Sequence, residues 1–167
     1  MVSLEEEKFL QSIPDPKKVF VKPFDPKVKE IGESIISKIK KQFSELEVLF
    51  MGSVALGIAG QNDIGIYALC EPREFDKFLP ALKKIFGNPT KTHDTFIEWN
   101  FLEGGYQVEF YLTKPPQRQI DIFNVLKNDQ KILKEYEDLK LSFNGKRMRD
   151  YQKAKYEFYS KIMKNHD

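Results

Sequence analysis

Two segments of alternating apolar and polar residues, separated by a pair of glycines, constrain the fold of this chain more than any other feature. Residues 95–102 and 106–113 both have the twofold alternation typical of strands, and Gly104 and Gly105 lie between them. Two adjacent glycines favour a tight β-hairpin, because glycine readily adopts the positive φ that such turns require. An antiparallel hairpin excludes a doubly wound parallel sheet of the Rossmann type. The chain also lacks the glycine-rich sequence of a P-loop.

Apolar patterns elsewhere predict further strands and helices. Continuous apolar runs at 48–51 and 64–69 are typical of buried strands. Apolar residues at helical spacing predict helices over 26–43 and 72–86, and the last third of the chain has the pattern of about three helices with a break near Asn144-Gly145. We therefore expect an α/β (α+β) fold with one small, mixed and mostly antiparallel sheet and helices mainly on one face.

The length of 167 residues suits one domain with a buried core. We expect a single domain over 1–167, with the sheet in about 19–113 and the C-terminal helices in about 117–164. Prolines between residues 14 and 26 keep the intervening backbone extended. Within that stretch, residues 19–21 are expected to add an edge strand or to cross the surface.

Charged side chains make up 31% of the chain, yet they nearly cancel to a formal net charge of +2. This balance argues against a protein that acts mainly by binding nucleic acid through charge. Lysines are concentrated from Lys127 onward. Nucleic-acid binding through a C-terminal basic patch therefore stays open but is not favoured.

Cys70 is the only cysteine, so no internal disulfide can form. It ends an apolar run, which favours a buried structural thiol over a reactive one. The first ten residues are acidic and lack the long apolar stretch of a signal peptide, and no later segment has the apolar length of a membrane span. We expect a cytoplasmic protein with no membrane partner.

Three separate parts of the sequence have the chemistry of a phosphoryl-transfer site. Gly52-Ser53 follows the first predicted strand, Asp63 opens the second, and Glu109 lies within the last. Glycine lets the backbone approach a phosphate, and a serine hydroxyl with the amides of a helix start can donate to phosphate oxygens. Carboxylates on adjacent strands can converge at one end of a sheet, where their hard oxygens ligate Mg²⁺ or Mn²⁺.

This arrangement resembles the DNA-polymerase-β-like nucleotidyltransferase superfamily, in which Gly-Ser precedes an acid-apolar-acid strand and a third acid lies on a neighbouring strand. Asp63 has the place of the first acid, and Glu109 that of the third. Gly65 stands where the second acid is expected, and glycine can neither ligate metal nor accept a proton. The resemblance implies a nucleotidyltransferase-like fold that binds a nucleoside triphosphate, most simply ATP, with Mg²⁺ (or Mn²⁺) and transfers a nucleotidyl group to an unidentified acceptor.

Longer segments are similar to the GrpB family within that superfamily. They match its Pro-(aromatic)-Asp-Pro opening, its Gly-Ser-(small)-Ala turn and its two C-terminal helical signatures, at residues 21–26, 52–59, 136–140 and 151–158. The likeness extends from about residue 19 to residue 163. The chain departs from the family pattern at Gly65, where an Asp is usual, and at Gln107 and Glu109, where two histidines are frequent.

The resemblance also implies roles for individual residues. Ser53 and the amides after Gly52 would hold the triphosphate, and Asp63 and Glu109 would ligate the metal, with Glu109 as the base for the acceptor hydroxyl. Lys155 is a candidate triphosphate contact; the simpler interpretation is a long side chain that follows a helix surface.

Several alternatives stay open. Asp63 is as compatible with a turn as with a metal ligand, and Glu109 with a plain surface position. Glu98 or Glu103 could replace the missing acid. The rival hypothesis, which Gly65 favours, is a non-catalytic nucleotide-binding or protein-interaction module. A third is that Gly65 is a substitution, natural or engineered, in an otherwise active parent.

Overall fold

The computed structural model describes residues 1–166, and the chain divides into two compact units. The sheet unit consists of Asp25–Gly57 and Asn62–Ile120. The helical unit consists of Met1–Phe24, Ile58–Gln61 and the chain from Asp121 onward. The single domain over 1–167 stays a prediction, and its last residue lies outside the described ones.

Helices and strands alternate through the sheet unit, whereas the helical unit is built from helices. The strands are β1 (Glu47–Met51), β2 (Ile64–Leu69), β3 (Lys91–Thr92), β4 (Phe96–Glu103) and β5 (Tyr106–Thr113). The helices are α1 (Leu4–Ser12), α2 (Pro26–Gln42), α3 (Ser53–Leu56), α4 (Phe75–Phe86), α5 (Gln117–Asn128), α6 (Gln130–Ser142) and α7 (Met148–Lys164).

Within residues 1–166, five strands form one mixed sheet in the order β1-β2-β5-β4-β3. β2 and β5 are parallel, and the other neighbours are antiparallel, which confirms the predicted mixed and mostly antiparallel sheet. The predicted hairpin is β4–β5, in which Glu103 pairs with Tyr106. Its two-residue turn has φ angles of 58° at Gly104 and 85° at Gly105. Positive φ at both positions matches the twist of the strands, and glycine adopts it without strain.

One face of the sheet is covered by α2 and α4. Phe50, Ile66 and Phe110 lie in register on β1, β2 and β5, so they share this face. The ring of Phe86 on α4 lies 4.9 Å from that of Phe110, centroid to centroid. Gly32 on α2 is buried against the ring of Phe50. The side chains of Ile66 and Phe110 are fully buried, so the core of the sheet unit lies beneath these two helices.

The helical unit has its own core, in which Tyr151 on α7 is 1% exposed. Leu10 and Ile13, at the end of α1, pack into the same cluster. Arg149 on α7 binds this end of α1, because its Nε donates a hydrogen bond to the carbonyl of Leu10 at 3.0 Å. The predicted break between the last two helices is confirmed, and Gly145 lies there with φ of 77°.

The expectation that residues 19–21 add an edge strand or cross the surface is wrong. Val19 is fully buried and Val21 nearly so, while Phe20 between them is exposed. The backbone of Val19 accepts from Gly145 N at 2.8 Å and donates to Lys146 O at 3.0 Å. Successive side chains of this extended stretch alternate between the core and solvent, so Val19 and Val21 are buried in the core of the helical unit. The backbone of Val19 forms hydrogen bonds with the α6–α7 connection and not with the sheet.

Two short elements were not predicted. α3 has four residues and β3 has two, so neither is long enough to produce a periodic pattern. β3 pairs with β4 through Lys91–Glu98 and Thr92–Ile97, and it forms one edge of the sheet. α3 matters more, because it begins directly after the Gly-Ser turn.

We expect Gly32→Ala to lower the free energy of unfolding by about 1–3 kcal/mol, the usual range for overpacking. A Cβ at Gly32 would lie 2.5 Å from Cζ of Phe50. Alanine has a more favourable helix propensity than glycine by roughly 1 kcal/mol. The overpacking against Phe50 must therefore cost more than this gain for the variant to be destabilised. Urea denaturation measures the change. Phe50→Leu, which shortens the opposing side chain, should make Gly32→Ala less destabilising; an increase in stability in Gly32→Ala alone would contradict the packing.

Candidate functional site

Strand register aligns Gly65 with Glu109, one of the predicted site residues, in the sheet unit. Met51, the last residue of β1, pairs with Gly65 on β2. Gly65 pairs in turn with Glu109 on β5, and Glu109 with Asn100 on β4. These four positions therefore form one row across four strands and share one face, opposite the core.

The Gly-Ser turn begins immediately after this row. Gly52 has φ of 97° and ψ of −176°, a conformation that side-chain-bearing residues rarely adopt. Nothing lies within 4 Å of the position that a Cβ would take there, so the need for glycine comes from the backbone alone. Ser53 is the first residue of α3, and the first amides of a helix have no partner inside it. The turn therefore starts a short helix beside the row.

Asp63 immediately precedes β2, beyond the row that contains Gly65. Asn62 before it has φ of 57°, the left-handed conformation that asparagine tolerates in turns. The side-chain oxygen of Asn62 is buried with no hydrogen-bond partner among the described residues.

Gly65 is closely approached by the neighbouring strand. A Cβ there would lie 3.3 Å from the carbonyl oxygen of Met51 and 3.5 Å from Cε2 of Tyr67. The backbone of Gly65 does not need positive φ. A side chain at this position is therefore opposed by a tight contact with the neighbouring strand, not by the conformation of its own backbone.

Two tyrosines beside the row stack on each other. The rings of Tyr67 and Tyr111 lie 5.1 Å apart at 13°. Tyr111 Oη donates to Glu98 Oε1 at 3.3 Å, and the side-chain amide of Asn100 donates to the same oxygen at 2.7 Å. Burial and then the negative charge of Glu109 raise the pKa of Tyr111 well above its usual range. Tyr111 therefore stays neutral and donates a hydrogen bond. The carboxylate of Glu109 lies close enough for its negative charge to raise the pKa of Tyr111.

These contacts give Glu98 a defined role. Of the two glutamates considered as replacements for an acid at Gly65, the register places Glu98 on the face of Glu109 and Glu103 on the opposite face. Glu98 binds Tyr111 and Asn100, and Glu103 lies at the hairpin turn opposite Tyr106. Within residues 1–166, no three His, Cys, Asp or Glu side chains are grouped so as to hold a metal ion.

Sequence reasoning missed the role of Asp25, although the residue lies in the Pro-(aromatic)-Asp-Pro segment. Its Oδ1 accepts from Lys27 N at 2.9 Å and caps α2. Its Oδ2 accepts from Tyr106 Oη at 2.9 Å, and this bond raises the pKa of Tyr106. Asp25 therefore joins the start of α2 to the hairpin. No local pattern could reveal a partner 81 positions away.

Lys155 lies on α7 in the helical unit. Its Nζ is 5.5 Å from the ring centroid of Tyr151 and 5.9 Å from that of Tyr159. The side chain is half-buried. Lys155 thus follows aromatic surface, as the simpler interpretation expects, and holds its ammonium among tyrosine rings.

No protein-family model matches the chain, and no curated protein matches it either. The similarity to the GrpB family therefore rests on the motifs alone and stays a prediction. None of the helices within residues 1–166 combines the length and the apolar composition needed to cross a membrane.

We expect Cys70 to be a slow nucleophile in the folded protein. Burial, and then the charges of Glu74 and Glu71, raise the pKa of its thiol to about 11. At pH 8 the thiolate fraction should be on the order of 100-fold lower than in the unfolded chain. Iodoacetamide labelling with and without urea measures the ratio; equal rates would contradict it.

The same shift predicts a pH dependence of stability. Because the folded thiol has the higher pKa, the native state retains a proton that the unfolded chain loses. The contribution to stability is therefore complete below the unfolded pKa and declines as pH rises from there towards 11. Cys70→Ala should remove this part of the alkaline loss of stability.

Proposed function

We propose that the chain binds a nucleoside triphosphate together with Mg²⁺ at the Gly52–Ser53 turn and the Glu109 row. The observation that carries this proposal is the strand register, in which the end of β1, the start of β2 and Glu109 on β5 are neighbours. A glycine-dependent turn, a helix start and a carboxylate therefore occur in one region, as binding of a metal-bound polyphosphate requires.

The phosphates are proposed to bind at the turn. Gly52 has no side chain to obstruct a phosphate, and the hydroxyl of Ser53 with the following amides supplies donors to its oxygens. ATP is the simplest candidate, since the residues of the turn contact phosphate and not the base.

The metal is proposed to bind Asp63 and Glu109. Asp63 lies immediately before β2 and two residues before Gly65. Residues two apart in an extended backbone share a face, so Asp63 is proposed to lie on the face of Gly65 and Glu109. Two carboxylates fit one Mg²⁺ or Mn²⁺, because such ions take the rest of their coordination from water and phosphate oxygens. When bound, the ion would neutralise phosphate charge, and Glu109 would accept the proton of the acceptor hydroxyl.

The rival, a non-catalytic nucleotide-binding module, is favoured by one specific observation. The space beside Gly65 is bounded by Tyr67 and by the carbonyl of Met51. Two-metal transfer needs bridging carboxylates, and an acid is missing at Gly65. We therefore propose that nucleotidyl transfer by the chain as given is absent or very slow, while binding is retained.

We expect Ser53→Ala to weaken binding of Mg-ATP by about 1.5–3 kcal/mol, the net value of a hydrogen bond to a charged group. Isothermal titration calorimetry measures the affinity. The control is Ser37→Ala, an exposed position on α2, which should leave it unchanged. Equal affinities of Ser53→Ala and the unmodified protein would mean that the phosphates bind elsewhere.

We expect Gly65→Asp to acquire nucleotidyl transfer with Mg²⁺ or Mn²⁺, because it adds the missing ligand on the face of Glu109. Transfer of radiolabelled nucleotide from each triphosphate measures activity. Gly65→Asn is the matched control, since it has the same size and meets the same Met51 carbonyl without a negative charge.

The outcomes separate the two hypotheses. Activity only in Gly65→Asp identifies a disabled enzyme. Comparable activity in the unmodified chain would show that Gly65 is not disabling. If none of the three proteins transfers nucleotide, while their thermal midpoints are unchanged and they bind Mg-ATP, the result would support the binding module and reject nucleotidyl transfer.

A further inference from the structure

The connection between α6 and α7 contains the only Asn-Gly pair in the sequence, Asn144-Gly145. Such a pair is chemically labile, because the backbone nitrogen of the glycine can attack the side-chain carbonyl of the asparagine. Glycine favours this attack, since it has no side chain to obstruct the approach and its backbone rotates freely. Both residues are exposed, so the connection combines a reactive pair with access to water.

Hydrogen bonds hold both reacting groups in the folded helical unit. Gly145 N donates to Val19 O at 2.8 Å, which retains the proton that the nitrogen must lose before it attacks. The side-chain oxygen of Asn144 accepts from Val21 N at 3.0 Å, which fixes the carbonyl that would be attacked. The side chains of Val19 and Val21 are buried in the core of the unit. The contacts that bury the two valines therefore also protect the labile pair.

These two bonds belong to a longer run of contacts between the connection and the extended stretch that contains Val19. Val19 N donates to Lys146 O at 3.0 Å, and Met148 N donates to Lys17 O at 2.7 Å. Both of these bonds are made by residues that follow the labile pair in the chain, whereas the side chain of Asn144 lies within the pair. An extra backbone atom in the pair would therefore shift one set of bonds relative to the other.

We infer that Asn144 is a site of spontaneous deamidation, and that release of the extended stretch from the α6–α7 connection controls its rate. Gly145 N forms a bond to Cγ of Asn144, and the side-chain nitrogen takes up the proton of Gly145 N and leaves as ammonia. Water then attacks one of the two carbonyls of the resulting succinimide ring. Attack at the side-chain carbon gives aspartate, whereas attack at the main-chain carbon gives isoaspartate, whose backbone is one carbon longer.

The two products act differently on the fold. Aspartate retains an oxygen that accepts from Val21 N, so the contacts of the extended stretch survive. Isoaspartate lengthens the backbone before Gly145 and displaces its nitrogen from Val19 O. Formation of isoaspartate therefore releases the stretch from the connection and weakens the burial of its valines.

The experiment follows deamidation of the intact protein by peptide mass spectrometry, with and without urea at the same pH. Electron-transfer fragmentation separates aspartate from isoaspartate. Asn144 should react at least about tenfold more slowly in the folded protein than in urea, because the reaction requires local opening. Asn100 is the internal control: the side chain of Phe101 hinders attack by its nitrogen, so the rate at Asn100 should stay low in both conditions.

Variants test the role of the extended stretch. Val19→Ala removes fully buried methyl groups and should speed deamidation of Asn144 in the folded protein at least about fivefold. Phe20→Ala is the matched control, because this side chain is exposed, and should leave the rate unchanged. Trypsin should cleave after Lys18 faster in the isoaspartate form than in Asn144→Asp, which keeps the normal backbone.

An Asn144 rate in urea no higher than that of Asn100 would overturn the site, and equal rates with and without urea would overturn control by the stretch. Equal cleavage of the isoaspartate form and Asn144→Asp would overturn the release. If Val19→Ala fails to fold, the unmodified protein decides in a series of urea concentrations. A rate that rises below the unfolding transition supports local opening, whereas a rise only with global unfolding overturns control by the stretch.

Discussion

The parallel pairing of β2 with β5 is the constraint on which the sheet unit depends. It places β5, from the hairpin near the end of the sheet unit, beside the earlier strand β2, so that β5 is the middle strand and β1 and β3 form the edges. Parallel strands cannot be joined by a tight turn, and α4, β3 and β4 occupy the intervening chain. The same register aligns Gly65 with Glu109. Core packing on one face and the row proposed as a binding site on the other therefore follow from one strand pairing.

The sequence predicted those parts of the fold that local patterns determine. The hairpin follows from Gly104-Gly105 and alternation, and β2 and β5 have the predicted bounds because buried faces fix their apolar residues. The order of strands was beyond local reasoning, since the β2–β5 contact joins distant segments. Residues 19–21 were misjudged for the same reason: Val21 N donates to Asn144 Oδ1, 123 positions away.

The candidate site shows the same division. Gly52 could be predicted, because a positive φ after a strand requires glycine. The sequence shows that position 65 is a glycine, but the tight approach of the Met51 carbonyl could not be predicted, because it depends on the partner strand. The burial of Lys140 on α6 could not be predicted either. In the sequence Lys140 belongs to an alternating run of charges typical of an exposed helix face, and it is buried only in the folded chain.

The division of the chain into units has a consequence for how the molecule acquires its structure. The sheet unit is drawn from residues 25–120, whereas the helical unit combines segments that precede, interrupt and follow it. During synthesis the β4–β5 hairpin can close early, since its contacts are local. Val19 and Val21 must wait for the α6–α7 connection to emerge before their backbone partners exist. Until then these two apolar side chains lack their core, so the helical unit can pack only after α7 has been synthesised.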